Sequence, residues 1–352
     1  MLNTAITKTA LLSLAMSLVI HAVPASANAS NEQDFLKKPL GHGVYELAFV
    51  KGQNALYAAS APSFDPGKTA GLMFKLDANT LNVTEKITTQ RRNFALALDE
   101  ENHLLYIGNA LDGSITLLDI RTNKEIKTLQ LSDDADENKK AHVREVVLDK
   151  QHHRLYISGI GSKNRGLLWV VDTQKQQLVE TLEKFEPVGF AVDEPGAKVY
   201  VVTGKGELVV LDGKTSRPLS QVKVDPAETN HYFLNIALNT VAGLGYIADT
   251  NTHDVLVVNL HSGKLIHRIP TPNSIAVVFN AARNEIYVTH RNIRQISIID
   301  ATSYVVKNTL NTQAMPNSMV LSADAKTLYV SVKQDEKEKR DDYVLKIDLT
   351  KR

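Results

Sequence analysis

The sequence contains no cysteine. That excludes disulfides, a thiol nucleophile and a lipid-modified amino-terminal cysteine. Net charge is also lacking, with 40 Lys and Arg against 39 Asp and Glu. Residues 1–27 hold one Lys and no acid, so 40 − 1 = 39 basic residues face 39 acidic ones in the remainder. No global field draws such a chain to nucleic acid or to an anionic membrane, and a charged partner must be held by a local patch. Long apolar runs are missing too. The stretch Ala10 to Ile20 falls short of the roughly 20 residues that a membrane-spanning helix requires, and no later segment approaches that length. Linear enzyme motifs are absent: there is no G-x-S-x-G elbow, no H-E-x-x-H and no phosphate loop. Gly204-Lys205-Gly206 precedes a strand pattern rather than a helix, so it reads as a tight turn.

What is present begins with the amino terminus. Lys8, the apolar run after it, Pro24 and Ala25-Ser26-Ala27 form the three regions of a secretory signal peptide. The expected outcome is cleavage after Ala27 and a soluble protein in the periplasm. With 43% hydrophobic and 22% charged residues, the rest can bury a large core.

An internal repeat organises that remainder. Tyr57, Tyr106, Tyr156, Tyr200, Tyr246, Tyr287 and Tyr329 recur at spacings of 41 to 50 residues. Each closes a short apolar run such as Leu104-Leu105-Tyr106. A second strand ending in Asp or Asn follows each one, at Asp77, Asp119, Asp172, Asp212, Asn259, Asp300 and Asp348. One strand upstream of each Tyr and one downstream of each Asp complete four strands per unit, the meander of a propeller blade. The pattern predicts an all-β, seven-bladed β-propeller of antiparallel four-stranded blades, occupying residues 28–352 as one monomeric domain. The Asp residues are read as turn caps, because their carboxylates can accept backbone N–H bonds from the turn that follows. The tyrosines are read as fillers between neighbouring blades. The seventh unit runs out of chain after three strands. Asp34-Phe35-Leu36-Lys37-Lys38 is the spare segment, and a strand at about 33–38 is predicted to close the last blade and remove an open edge.

Several stretches resemble the YncE-like family of periplasmic propellers, built from repeats named for a Tyr-Val-Thr-Asn sequence. They include Trp169-Val170-Val171-Asp172, Tyr287-Val288-Thr289-His290-Arg291 and Leu328-Tyr329-Val330-Ser331-Val332-Lys333. The resemblance runs from about residue 40 to the end. It implies a non-enzymatic exported protein without a cofactor, and it implies an association with single-stranded DNA.

In a propeller, the loops entering the innermost strands and those between second and third strands share the face around the channel mouth. On that face the candidate ligand residues are Arg92, His142, Arg144, Lys163, His231, Tyr232, Asn235, His290, Arg291 and Asn317. Basic groups interleaved with aromatics suit single-stranded nucleic acid, since bases stack while cations track phosphates. Acidic loop residues such as Asp133, Asp134, Asp136 and Glu137 work against phosphate binding. Two other readings stay open. One is a metal-dependent hydrolase of the lactonase kind, for which Glu145, His142, His231 and His290 are the available groups. The other is a scaffold for an envelope protein. Asp134, Asp136, Asn138 and Glu145 match the spacing of a calcium loop, but Lys139 stands where that loop needs Gly. His152 and His153 are read as exposed turn residues.

Overall fold

A computed structural model describes residues 29–31, 35–65, 67–132, 141–161, 166–228, 230–335, 337 and 340–352. Seven antiparallel sheets surround a central channel. Blade one comprises Val44–Val50, Ala55–Ser60, Gly71–Asp77 and Val83–Thr89 from the inside outward. Blades two to six repeat that order, with innermost strands Asn93–Asp99, His142–Asp149, Pro187–Asp193, Phe233–Asn239 and Val277–Asn280. Blade seven contains Met315–Leu321, Thr327–Lys333 and Asp342–Asp348.

Its fourth strand comes from the other end of the chain. Leu36–Gly41 runs antiparallel to Asp342–Asp348, with Leu36 opposite Lys346 and Gly41 opposite Asp342. The closing strand therefore lies a few residues later than the span 33–38, and residues 33 and 34 fall outside the described residues. The later position is permitted because an outermost strand bonds along one edge only, so Pro39, which cannot donate, is tolerated there. It also seats Phe35 and Leu40 in the interblade core, each 8% exposed. A feature without a sequence signal adds to blade six, where Ala29–Asn31 pairs in parallel with Val306–Asn311 as a fifth strand.

The core is divided into seven wedges, one at each blade interface. Ala95, Leu117 and Leu129 of blade two pack on Val143, Leu155 and Trp169 of blade three, and equivalent clusters recur round the ring to Leu40 and Val344 against Leu47 and Phe74. Both faces of a blade are covered by its neighbours, so the middle strands are buried end to end; Gly166–Asp172 is an example. That is why these strands read as continuous apolar runs rather than alternating ones.

All seven repeat tyrosines are buried, at 0–3% exposure. Three of their hydroxyls are bonded to the next blade as follows. Tyr57 donates to Asn123 Oδ1 of blade two at 2.7 Å, Tyr156 lies 3.2 Å from Ser216 Oγ of blade four, and Tyr329 donates to Ala78 O of blade one at 2.9 Å. Replacing Tyr329 by Phe deletes one such tie at the ring closure, where Ala78 O is left unpaired. It should lower stability by about 1 kcal/mol, read as a lower urea midpoint at unchanged slope.

The strand-ending acids cap their turns. Asp77 Oδ1 accepts from Asn79 N at 3.0 Å and Thr80 N at 2.8 Å, and Asp212 Oδ1 accepts from Lys214 N at 3.0 Å and Thr215 N at 2.7 Å. These bonds hold both carboxyls below the usual carboxylate range. The same turns end in a left-handed residue at Leu81, Asn123, Gln176, Ser216 and Tyr304, with φ between 50° and 60°.

Candidate ligand site at the channel mouth

The innermost strand of each blade starts at the mouth. In six blades its pairing with the second strand shifts within the first residues, after Val44, Asn93, Val143, Pro187, Phe233 and Pro316. Such a bulge inserts an unpaired residue and re-aims the side chains beside it. In blade six the same place is occupied by Ile275 and Ala276, both bonded to Thr289.

The result is two levels of side chains around a cavity of about 360 Å³. The outer level presents Tyr45, Phe94, Arg144, Leu234, Ile275 and Asn317. One residue further along, Glu46, Glu145, Asn235, Ala276 and Ser318 face the same space. Arg291 joins from the turn after the second strand of blade six.

On one side the outer level is aromatic. The Tyr45 and Phe94 rings lie 4.3 Å apart, His142 meets Phe94 edge-on at 4.8 Å, and Phe64 meets Tyr45 edge-on at 6.1 Å. Phe64 is 42% exposed at the end of this row. Lys333 Nζ sits 3.9 Å above the Tyr45 ring and 3.0 Å from Asp342 Oδ2. Elsewhere around the mouth Arg144 and Arg291 supply charge. Arg291 donates to Asn317 Oδ1, which fixes the guanidinium, and its buried Nε has no hydrogen-bond partner among the described residues. Burial, and secondarily the charge of Arg144, lower the pKa of Arg291 from its ordinary value.

The two glutamates are set deep in the channel. Glu46 Oε2 accepts from Leu96 N at 2.8 Å, yet burial outweighs this bond and pushes the carboxyl up to about 7. Glu145 is raised well above the usual range, first by burial and then by the nearby Glu46 charge. Arg144, Phe190 N and Asn235 oppose that shift without cancelling it. Asn235 links two blades, donating to Glu145 Oε1 at 3.4 Å and accepting from Val277 N at 3.0 Å.

Among the sequence-derived candidates, Arg144, Asn235, Arg291 and Asn317 line the cavity, and His142 supports its aromatic edge. Burial and the Arg144 charge push His142 down to about 4, so it is a neutral ring at physiological pH. The other candidates are occupied with holding loops. Arg92 donates to Ser63 O at 2.7 Å and Asp65 O at 2.8 Å, clamping the long loop of blade one. His231 is buried on Asp249, whose other oxygen accepts from Tyr232 N at 3.0 Å. The Tyr232 ring covers the turn at Gly204. His290 is fully buried between Asn273 O and Ser297 Oγ and is pushed down to about 4 by burial. Lys163 and the acidic stretch 133–140 lie outside the described residues. His152 is not an exposed turn residue, since its side chain is 10% exposed and rests on Asp149 at 2.9 Å; His153 is exposed.

These placements bear on the metal reading. His231 and His290 are each engaged away from the cavity, so they do not converge with Glu145 and His142. Among the described residues no group of three or more His, Asp or Glu could hold a metal ion.

Sequence reasoning missed Tyr45, Phe94, Glu46 and Lys333. Tyr45 stands outside the repeat position that accounts for the buried tyrosines, and aligning the seven strand starts would have placed it beside Phe94 and Arg144. The bulges that turn these side chains into the channel have no residue signature.

Relatives with this architecture are recognisable by sequence. Proteins named uncharacterized protein YncE from Salmonella typhimurium strain LT2 and Escherichia coli strain K12 are 35% identical over 316 and 317 residues, covering 89% of this chain and 89% of each relative. The chain belongs to the YncE family. The family assignment agrees with the propeller, and the resemblance in the repeats extends over nearly the whole chain. No family model matches the sequence. Among solved structures, hydrazine synthase from Kuenenia stuttgartiensis aligns with a TM-score of 0.70 over 87% of this chain and 95% of that one, at 14% identity. At that identity the likeness is one of fold alone.

Proposed function

We propose that this protein is an exported, periplasmic binding module, without catalytic activity, that takes single-stranded DNA at the channel mouth. The observation carrying this reading is the aromatic shelf of Tyr45 and Phe94 set among the Lys333, Arg144 and Arg291 cations. Stacking on such a shelf suits any base, because every base has a π-face. The guanidiniums supply the local positive patch that a chain without net charge needs for a polyanion. Export is supported by the leader pattern of Lys8, Ala10 to Ile20 and Ala25-Ser26-Ala27.

Fluorescence anisotropy with a labelled single-stranded oligonucleotide tests the reading. Two phosphate contacts give a slope of about −1.4 in log K against log salt, so affinity should fall about sevenfold between 50 and 200 mM salt. Removing the shelf by Tyr45→Ala or Phe94→Ala should weaken binding about tenfold at either salt concentration, the loss of one stacked base. Salt-independent affinity, or shelf variants that bind like the parent, would defeat the proposal.

A further inference from the structure

We infer that the channel mouth holds the phosphate-bearing end of a strand, one terminal nucleotide at a time, rather than the middle of a strand passing over it. The inference rests on the nucleic-acid reading above and specifies which part of the ligand enters.

Enclosure is the first argument. Six of the seven blades contribute residues to the cavity lining, and its volume of about 360 Å³ lies at the small end of pockets that take one compact ligand. A continuous backbone that enters at the mouth and returns through it has to double back within this volume. A strand end needs only to enter.

Charge placement is the second. Arg144 comes from blade three and Arg291 from blade six, on opposite sides of a seven-blade ring, and both line the same cavity. Two guanidiniums sharing a desolvated space repel each other unless an anion offsets them, and the Glu46 and Glu145 carboxyls in the same cavity are pushed towards their neutral forms by burial. No hydrogen bond or ion pair holds Arg144 among the described residues, and the Arg291 Nε hydrogen is buried with no acceptor. A terminal phosphate carries up to two charges and three acceptor oxygens, against one charge for an internal phosphodiester, so it satisfies both forks at once.

The third is the position of the shelf. Phe94 and Tyr45 occupy the same outer level as Arg144, in the two blades before it. A phosphate between the arginines leaves its own base beside those rings. Asn317, already fixed by Arg291 and donating to Tyr45 O at 3.4 Å, connects the anion side to the aromatic side.

Competition against one labelled linear oligonucleotide tests this, using four unlabelled probes: the same sequence with a 5′ phosphate, with a 3′ phosphate, with hydroxyls at both ends, and as a closed circle. The expected result is that one phosphorylated end competes at least tenfold better than the hydroxyl form, and that the circle is the weakest. Arg144→Gln and Arg291→Gln should each abolish the preference, with folding of both variants checked by thermal unfolding. If Arg291→Gln does not fold, Arg144→Gln alone decides, because its side chain makes no hydrogen bond or ion pair among the described residues. Equal competition by circle and linear forms would overturn the end-binding inference while leaving strand binding intact. Binding of a nucleoside monophosphate in a separate calorimetric titration, with no binding of the labelled strand, would support the terminal site and overturn the strand reading. No competition by any probe would overturn both.

Discussion

Deleting residues 35–42 should lower the melting temperature by more than about 10 °C and make the protein associate. The deletion removes the outermost strand of blade seven and leaves Asp342–Asp348 as an open edge. Tyr343, Val344 and Leu345 are fully buried in the closed ring, and Lys37 lies 3.8 Å over the Tyr343 ring. Phe35 and Leu40 leave their wedges, at roughly 2 kcal/mol each. Several ladder hydrogen bonds go with them, at about 1 kcal/mol apiece. A loss on the order of 5–8 kcal/mol is comparable with the whole stability of an ordinary domain, about 5–15 kcal/mol. The exposed strand is also a template for pairing with another chain. Circular dichroism melts and light scattering after gel filtration would read both effects. An unchanged melting temperature and a monomeric profile would show that the ring does not depend on this strand.

Glu46→Gln should stabilise the protein at pH 8 by up to about 3 kcal/mol and change little at pH 5. The sign follows from the direction of the shift. The folded carboxyl titrates near 7, above its unfolded value of 4.5, so the folded state holds a proton that the unfolded state has already lost. The stability associated with that proton is present below about pH 4.5 and is lost as pH rises towards 7. Gln has no proton to lose, so the difference between variant and parent should open across this window. The groups facing Glu46 in the channel are Glu145 and Arg144, with Arg291 and the Lys333–Asp342 pair at the mouth. Its charge adds to the Glu145 shift, so Glu46→Gln should also reduce the pH dependence contributed by Glu145. The same titration predicts tighter oligonucleotide binding at pH 6 than at pH 8 in the parent and a flatter profile in Glu46→Gln. Thermal melts at the two pH values check the first expectation. A variant gaining as much at pH 5 as at pH 8 would assign the gain to packing rather than to the carboxylate.

Both effects originate in features that differ in how far the sequence discloses them. The need for a closing strand is visible from counting strands in the seventh unit. Its register is not, because an edge strand carries few constraints: Leu36 is 44% exposed while Phe35 and Leu40 are buried. Asp77 and Asp212 cap turns as their residue type and spacing indicate, because an Asx cap is a local interaction. The left-handed residues that end those turns are legible at Gly263 and hidden at Leu81 or Tyr304, where tertiary packing overrides residue preference.

The site divides along the same line. Arg144, Asn235, Arg291 and Asn317 were found by asking which loops reach the mouth, a question the repeat period answers. His231, His290 and Arg92 were drawn in by residue type and loop position, yet each bonds a backbone or carboxylate partner instead. Glu46 and Phe94 escaped because a one-residue slip in pairing decides whether a side chain enters the channel or a neighbouring blade. What the sequence by itself determined is the sevenfold architecture: apolar period, tyrosine wedges and acid-capped turns are all local and recur in every unit. Only the tertiary structure decided which residues share the channel, because the bulges are set by how seven blades pack around one axis. The pairing of the two arginines with the Tyr45 and Phe94 shelf exists only after the ring has closed.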